Sequence, residues 1–103
     1  MYHIVALYPQ PKDVAQFEAD YVKHLELFHA KTGIPSTEKP YAVTRFVDTP
    51  AGPAPYYLMF RMPFPTADIM QGALESPGMQ EVTADAVRIS TGGLPLLMAG
   101  ATT

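Results

Sequence analysis

Three histidines are the side chains here whose protons move near neutral pH, and His24 is the one best placed to use that property. Val14, Phe17, Tyr21, His24, Leu25 and Phe28 recur at helical spacing, so a helix over this stretch turns His24 inward beside Tyr21 and Phe28. An imidazole with an ordinary pKa of about 6.5 can take or give a proton there. The Tyr21 phenol, three residues earlier, can orient a substrate oxygen or share that proton. A plainer outcome stands beside this one: a core-edge histidine bonded to a backbone carbonyl, and a core tyrosine with its hydroxyl at the rim. His24, His29 and Glu26 also raise the idea of a metal. Five residues of helix set the two imidazoles roughly 140° apart about the axis, so they do not converge and no metal is expected.

On the strand-like stretches, Tyr41, Val43, Arg45 and Val47 alternate onto one face, and so do Tyr57, Met59 and Arg61. If the two faces coincide, Arg45 or Arg61 can hold an anionic or enolate-like oxygen, unless Asp48, Glu81 or Asp85 takes the arginine in a salt bridge. With Phe17 and Phe28 from the helix, Tyr41, Arg45, Tyr57 and Arg61 form the expected substrate-contacting set. Tyr56, Phe60, Met62, Phe64 and Met70 would line an apolar pocket, or serve as ordinary core. His3, opposite in facing to Tyr2 and Ile4, is expected to be solvated or at an interface.

Positioning these groups requires four strands and at least two helices. Tyr2 to Tyr8 is a strand ended by Pro9-Gln10-Pro11. Asp13 caps the first helix, which runs to Thr32-Gly33. Tyr41 to Val47 and Tyr56 to Met62 are strands joined by a loop rich in proline and glycine. Thr66 opens a second helix, and Ser76-Pro77 restarts it as far as about Ala84. Val87 to Thr91 reads as the last strand, followed by Gly92-Gly93 and an apolar tail, Leu94 to Met98, that docks on a partner or extends the sheet. The order strand, helix, strand, strand, helix, strand is the α+β, ferredoxin-like βαββαβ arrangement, an antiparallel sheet with helices on one face. Residues 1–103 are expected to form one domain, with about 99–103 as a flexible tail.

Composition narrows the function. A net charge of −3 with only seven Lys and Arg gives no footprint for nucleic acid. No Cys means no thiolate nucleophile, and cytoplasmic residence is the expectation. No apolar run approaches the roughly 18 to 20 residues of a membrane span. Charged residues are 17 %, below the ~25 % of typical domains, while 48 % are hydrophobic, so apolar surface must be buried outside this small core. A homodimer closing two bare sheet faces on each other is the simplest arrangement that does so. Glycine spacing fits neither a phosphate loop nor a dinucleotide fingerprint, and no nucleophile elbow is present, so no cofactor is expected.

Several strings resemble the EthD family. They are Leu7-Tyr8-Pro9 with Asp13 and Phe17, Tyr21 with His24, Gly52-Pro53-Ala54-Pro55-Tyr56-Tyr57, Phe64-Pro65, Ser76-Pro77-Gly78, Asp85, and Thr91-Gly92-Gly93. Their order across nearly the whole chain carries the resemblance. The chain departs from the family pattern at His24, which follows Phe17 by seven residues instead of eight and precedes Leu25-Glu26-Leu27 instead of x-Pro-Leu.

The resemblance implies a ferredoxin-like homodimer, a dimeric α/β barrel, associated in some members with ethyl tert-butyl ether degradation beside a separate oxidase system. It implies a protein that handles a small apolar or aromatic compound, in xenobiotic breakdown or secondary metabolism. If it is an enzyme, the related folds suggest a cofactor-independent monooxygenase-like oxidoreductase, an isomerase or a lyase. The alternatives are a non-catalytic ligand-binding dimer, or a structural dimer with a filled core.

Overall fold

The computed structural model describes residues 1–103. Strand β1, Tyr2–Pro9, alternates buried Ile4, Ala6 and Tyr8 with half-buried neighbours, as a strand with one covered face must. Helix α1, Val14–Thr32, begins where the Asp13 carboxylate accepts the Gln16 N–H at 3.1 Å and ends at Gly33 in a left-handed conformation, φ 75°. Its buried stripe is Phe17, Tyr21, His24 and Phe28, the face that the spacing predicts.

Strand β2 is short, Ala42–Arg45, and β3 runs Tyr56–Phe64. Thr66 caps α2, Ala67–Glu75. Ser76 then closes α2 and, through its hydroxyl, caps α3, Pro77–Ile89, with Pro77 at the first helical position. Strand β4 is Leu96–Ala101. The sheet order is β2-β3-β1-β4, all neighbours antiparallel, with the helices on one face: the ferredoxin-like α+β fold.

Two expectations fail at the C-terminal end. Val87 to Thr91 is not the last strand; α3 continues through Val87 to Ile89, because Val82 and Ile89 share a helical face that is buried in the core. The apolar tail extends the sheet, one of the two outcomes expected of it, pairing Leu7 with Leu96 through Tyr2 with Ala101; it is residues 99–101, expected in a flexible tail, that lie in the sheet against expectation. Gly92 makes the intervening turn possible: a Cβ there would sit 1.8 Å from the Gln10 carbonyl oxygen, and Gly93 takes φ 141°.

The sheet's far face carries Val5, Leu7, Met59, Arg61, Leu96 and Met98, with no element of this chain over it. On the near face α3 packs on α1, and Val87 of α3 and Leu97 of β4 border a common gap at that edge. No helix is long and apolar enough to cross a membrane.

Candidate active site

Beneath the α3–β4 gap lies a pocket of about 100 Å³. Ile4 and Ala6 of β1, Phe60 of β3 and Phe28 of α1 form its floor, and the half-exposed Val87 and Leu97 stand at its rim. Its remaining wall is also apolar, apart from three side chains with polar atoms: His24, Tyr8 and Thr83. The Thr83 hydroxyl is already engaged, donating to the Met79 carbonyl at 2.9 Å. Thr83 can then only accept, so His24 Nε2 and the Tyr8 hydroxyl are the base and the donor that the cavity offers a ligand.

His24 is 5 % exposed, the single polar residue in the buried set. Asp85 of α3 faces its Nδ1 at 2.8 Å. That carboxylate is fixed by Arg88 one turn on, whose Nε and Nη2 both lie 2.8 Å from Oδ1. Burial pushes Asp85 up, but the hydrogen bonds from His24 and Arg88 outweigh it and hold the group below the ordinary carboxylate value. An ionised Asp85 accepts from Nδ1–H, which fixes the tautomer and leaves the Nε2 lone pair free. Burial lowers the imidazole pKa more than Asp85 raises it, so His24 is neutral at pH 7 and basic at Nε2.

The partner on the Nε2 side is Tyr8, whose hydroxyl donates across 3.4 Å. That distance is long for a hydrogen bond, so a ligand oxygen can displace it at small cost. Burial, and secondarily the Asp85 charge, push the Tyr8 phenol well above its ordinary pKa, so it remains a donor.

Tyr21 takes a different role from the proton-sharing one expected of it. Its ring stacks on the His24 imidazole, centroids 5.6 Å apart at 27°, and its buried hydroxyl has no hydrogen-bond partner. Asp85, not Tyr21, orients the imidazole.

Of the expected substrate-contacting residues, Phe28 lines the pocket and the others lie elsewhere. Phe17 packs in the core between Tyr8 and Tyr57. Arg45 is bound in a two-pronged pair to Glu18, at 2.8 and 2.7 Å, and the Tyr57 hydroxyl donates to the same carboxylate. Tyr57 reaches the helix side because the β1–β3 register slips beside it, a bulge that puts Tyr57 and Leu58 on one face. Tyr41 hydrogen-bonds His29 Nε2 at 2.8 Å and stacks on Phe60. Arg61 pairs with Val5 and Ala42 on the far face, so Arg45 and Arg61 lie on opposite sides of the sheet. His29 also meets the Ile34 carbonyl at 3.0 Å, a local structural arrangement apart from His24.

Sequence reasoning places neither Tyr8 nor Asp85 in the site, giving Asp85 no role beyond a possible salt bridge to Arg45 or Arg61. Tyr8 had a signal: it shares the inward face of β1 with Ile4 and Ala6. Asp85 had one only if the last helix is carried past Ala84, when a carboxylate falls on the same stripe as Val82 and Ile89.

No protein-family profile matches the sequence, and no curated protein does. Among solved structures, an ethyl tert-butyl ether (EthD) family protein from Bacillus halodurans C-125 matches with TM-score 0.81 at 30 % identity, covering 100 % of this chain and 99 % of that one. A dimeric ferredoxin-like protein of unknown function from Jannaschia sp. CCS1 matches with TM-score 0.68 at 14 % identity, covering 98 % and 97 % of the two chains. Another, from Thermobifida fusca YX, matches with TM-score 0.64 at 13 % identity, covering 98 % and 90 %. The last two likenesses speak for the fold alone; the first, at its identity and coverage, shows the family, and this chain belongs to the EthD family.

Proposed function

We propose that this chain is a cytoplasmic, one-domain homodimer that binds a small neutral apolar or aromatic molecule in the pocket beside His24, with His24 as acid and base. The observation that carries this reading is His24, buried in the lining of an otherwise apolar cavity and backed by the partly buried Asp85. A histidine kept only for packing has no need of a carboxylate that is itself fixed by an arginine. The cavity is on the scale of the ~150 Å³ apolar cavities that admit benzene, and it is open at its rim, so a ligand of several heavy atoms can enter.

Family membership agrees with a role on small apolar compounds, since ethyl tert-butyl ether is itself small and neutral. In that setting the protein serves as an enzyme, or as an accessory component beside a separate oxidase. The far sheet face suits a second copy: it is apolar and uncovered, and structural neighbours of the same fold are dimers.

Native mass spectrometry tests the assembly, with twice the chain mass expected. NMR shifts on adding ethyl tert-butyl ether or benzene test the pocket. Perturbation centred on Met79, Val87 and Leu97 is expected; perturbation confined to the far face, or none, would overturn the reading.

A further inference from the structure

We propose that the pocket takes a small neutral ketone or aldehyde bearing a hydrogen on the carbon next to its carbonyl, that His24 Nε2 removes this proton, and that Tyr8 holds the enolate oxygen. The proposal rests on the reading of this cavity as a ligand site and gives it a substrate class.

The chemistry of the lining restricts the ligand first. No carboxylate, lysine or arginine lines the cavity, so an ionised ligand would lose its hydration without gaining a partner. The ligand is therefore neutral. What the cavity does offer is one proton acceptor and one proton donor, His24 Nε2 and the Tyr8 hydroxyl, 3.4 Å apart. A carbonyl oxygen and the hydrogen on its neighbouring carbon are separated by three bonds. A donor on one and a base on the other must then lie a few ångströms apart, as these two groups do. A simple hydrocarbon would use neither, and an ether, which lacks an acidic C–H, would use only the donor.

The charges close as well. In the resting site Asp85 and Arg88 are paired and His24 is neutral. When the C–H bond breaks, its proton goes to Nε2 and its electron pair forms a C=C bond. The carbonyl π pair moves onto oxygen, where Tyr8 donates a hydrogen bond. The imidazolium then faces the Asp85 carboxylate at Nδ1, and the enolate faces Tyr8. Return of the proton to the same carbon, or to the far end of a conjugated system, restores the enzyme. No electrons leave the substrate and no other reactant is consumed, so the net reaction is proton exchange or double-bond migration.

The test uses the full-length protein, with cyclohexanone as the probe, in D2O. Proton NMR follows both the loss of the hydrogens next to the carbonyl and the shifts of the Val87 and Leu97 methyl groups. Exchange well above the buffer rate is expected. His24→Gln and Tyr8→Phe should each lower it about 100-fold with methyl shifts still present. Binding without accelerated exchange, or exchange indifferent to His24→Gln, overturns the substrate class while leaving the ligand site standing. Absence of any methyl shift overturns both. If Tyr8→Phe does not fold, His24→Gln decides the base, and solvent-isotope exchange by the wild type decides the class.

Discussion

At the scale of residues, the site depends on one imidazole held in one tautomer. Asp85→Asn keeps the shape but can offer an NH2 to Nδ1, which leaves the proton on Nε2 and removes the base. Turnover of any substrate that relies on His24 should fall by a factor of 10² to 10⁴ while ligand affinity changes little. The contrast of steady-state rate with binding by NMR checks this. The same residues set an acid limit on stability. In the unfolded chain His24 protonates near pH 6.5, whereas burial resists that in the fold, so its contribution is full above about pH 6.5 and is lost as pH falls below it. Asp85, held below its ordinary value, adds a second loss only below about pH 4. Urea denaturation at a series of pH values should show His24→Gln losing less stability than wild type between about pH 7 and 5.

At the scale of elements, much was legible and the exceptions have physical causes. The Asp13 cap, the Phe17–Tyr21–His24–Phe28 stripe and the Gly33 terminator are local signals, and α1 follows them. Val87, Arg88 and Ile89 read as a strand from β-branched composition, yet packing on α1 carries the helix through them; tertiary context overrode a weak propensity. That one boundary left Asp85 without a helical face, so its place behind His24 could not be drawn. The bulge at Tyr57 and the facing of Arg61 depend on register between strands, which spacing along one strand does not contain. Glycines divide by what surrounds them. Gly92→Ala places a methyl group against the Gln10 carbonyl and should cost more than about 2 kcal/mol. Gly72→Ala, in the middle of α2 with nothing within 4 Å, should stabilise by about 0.5–1 kcal/mol. Chemical denaturation of both variants reads the contrast.

At the scale of the whole molecule, the chain makes a sheet with one face covered and one face bare, and the bare face explains the high apolar content. Leu96 and Met98 are 43 % and 48 % exposed there, an arrangement that a second copy would bury. Val5→Lys, set beside Arg61 on that face, should weaken the proposed dimer at least tenfold, because a facing copy would have to strip water from a second, unpaired cation. Sedimentation at micromolar concentration reads the shift toward monomer, and an unchanged dimer would move the interface elsewhere. The pocket opens on the other side of the sheet, between α3 and β4, so ligand binding and assembly can be perturbed separately.

The most direct test of a neutral, Asp85-oriented base facing an apolar pocket is the nitrogen-15 NMR spectrum of the His24 imidazole at pH 7, with and without cyclohexanone. A protonated Nδ1 and a bare Nε2, with Nε2 shifting as the ligand enters, is the predicted result. A proton resident on Nε2, or an imidazole charged at neutral pH, would contradict the account.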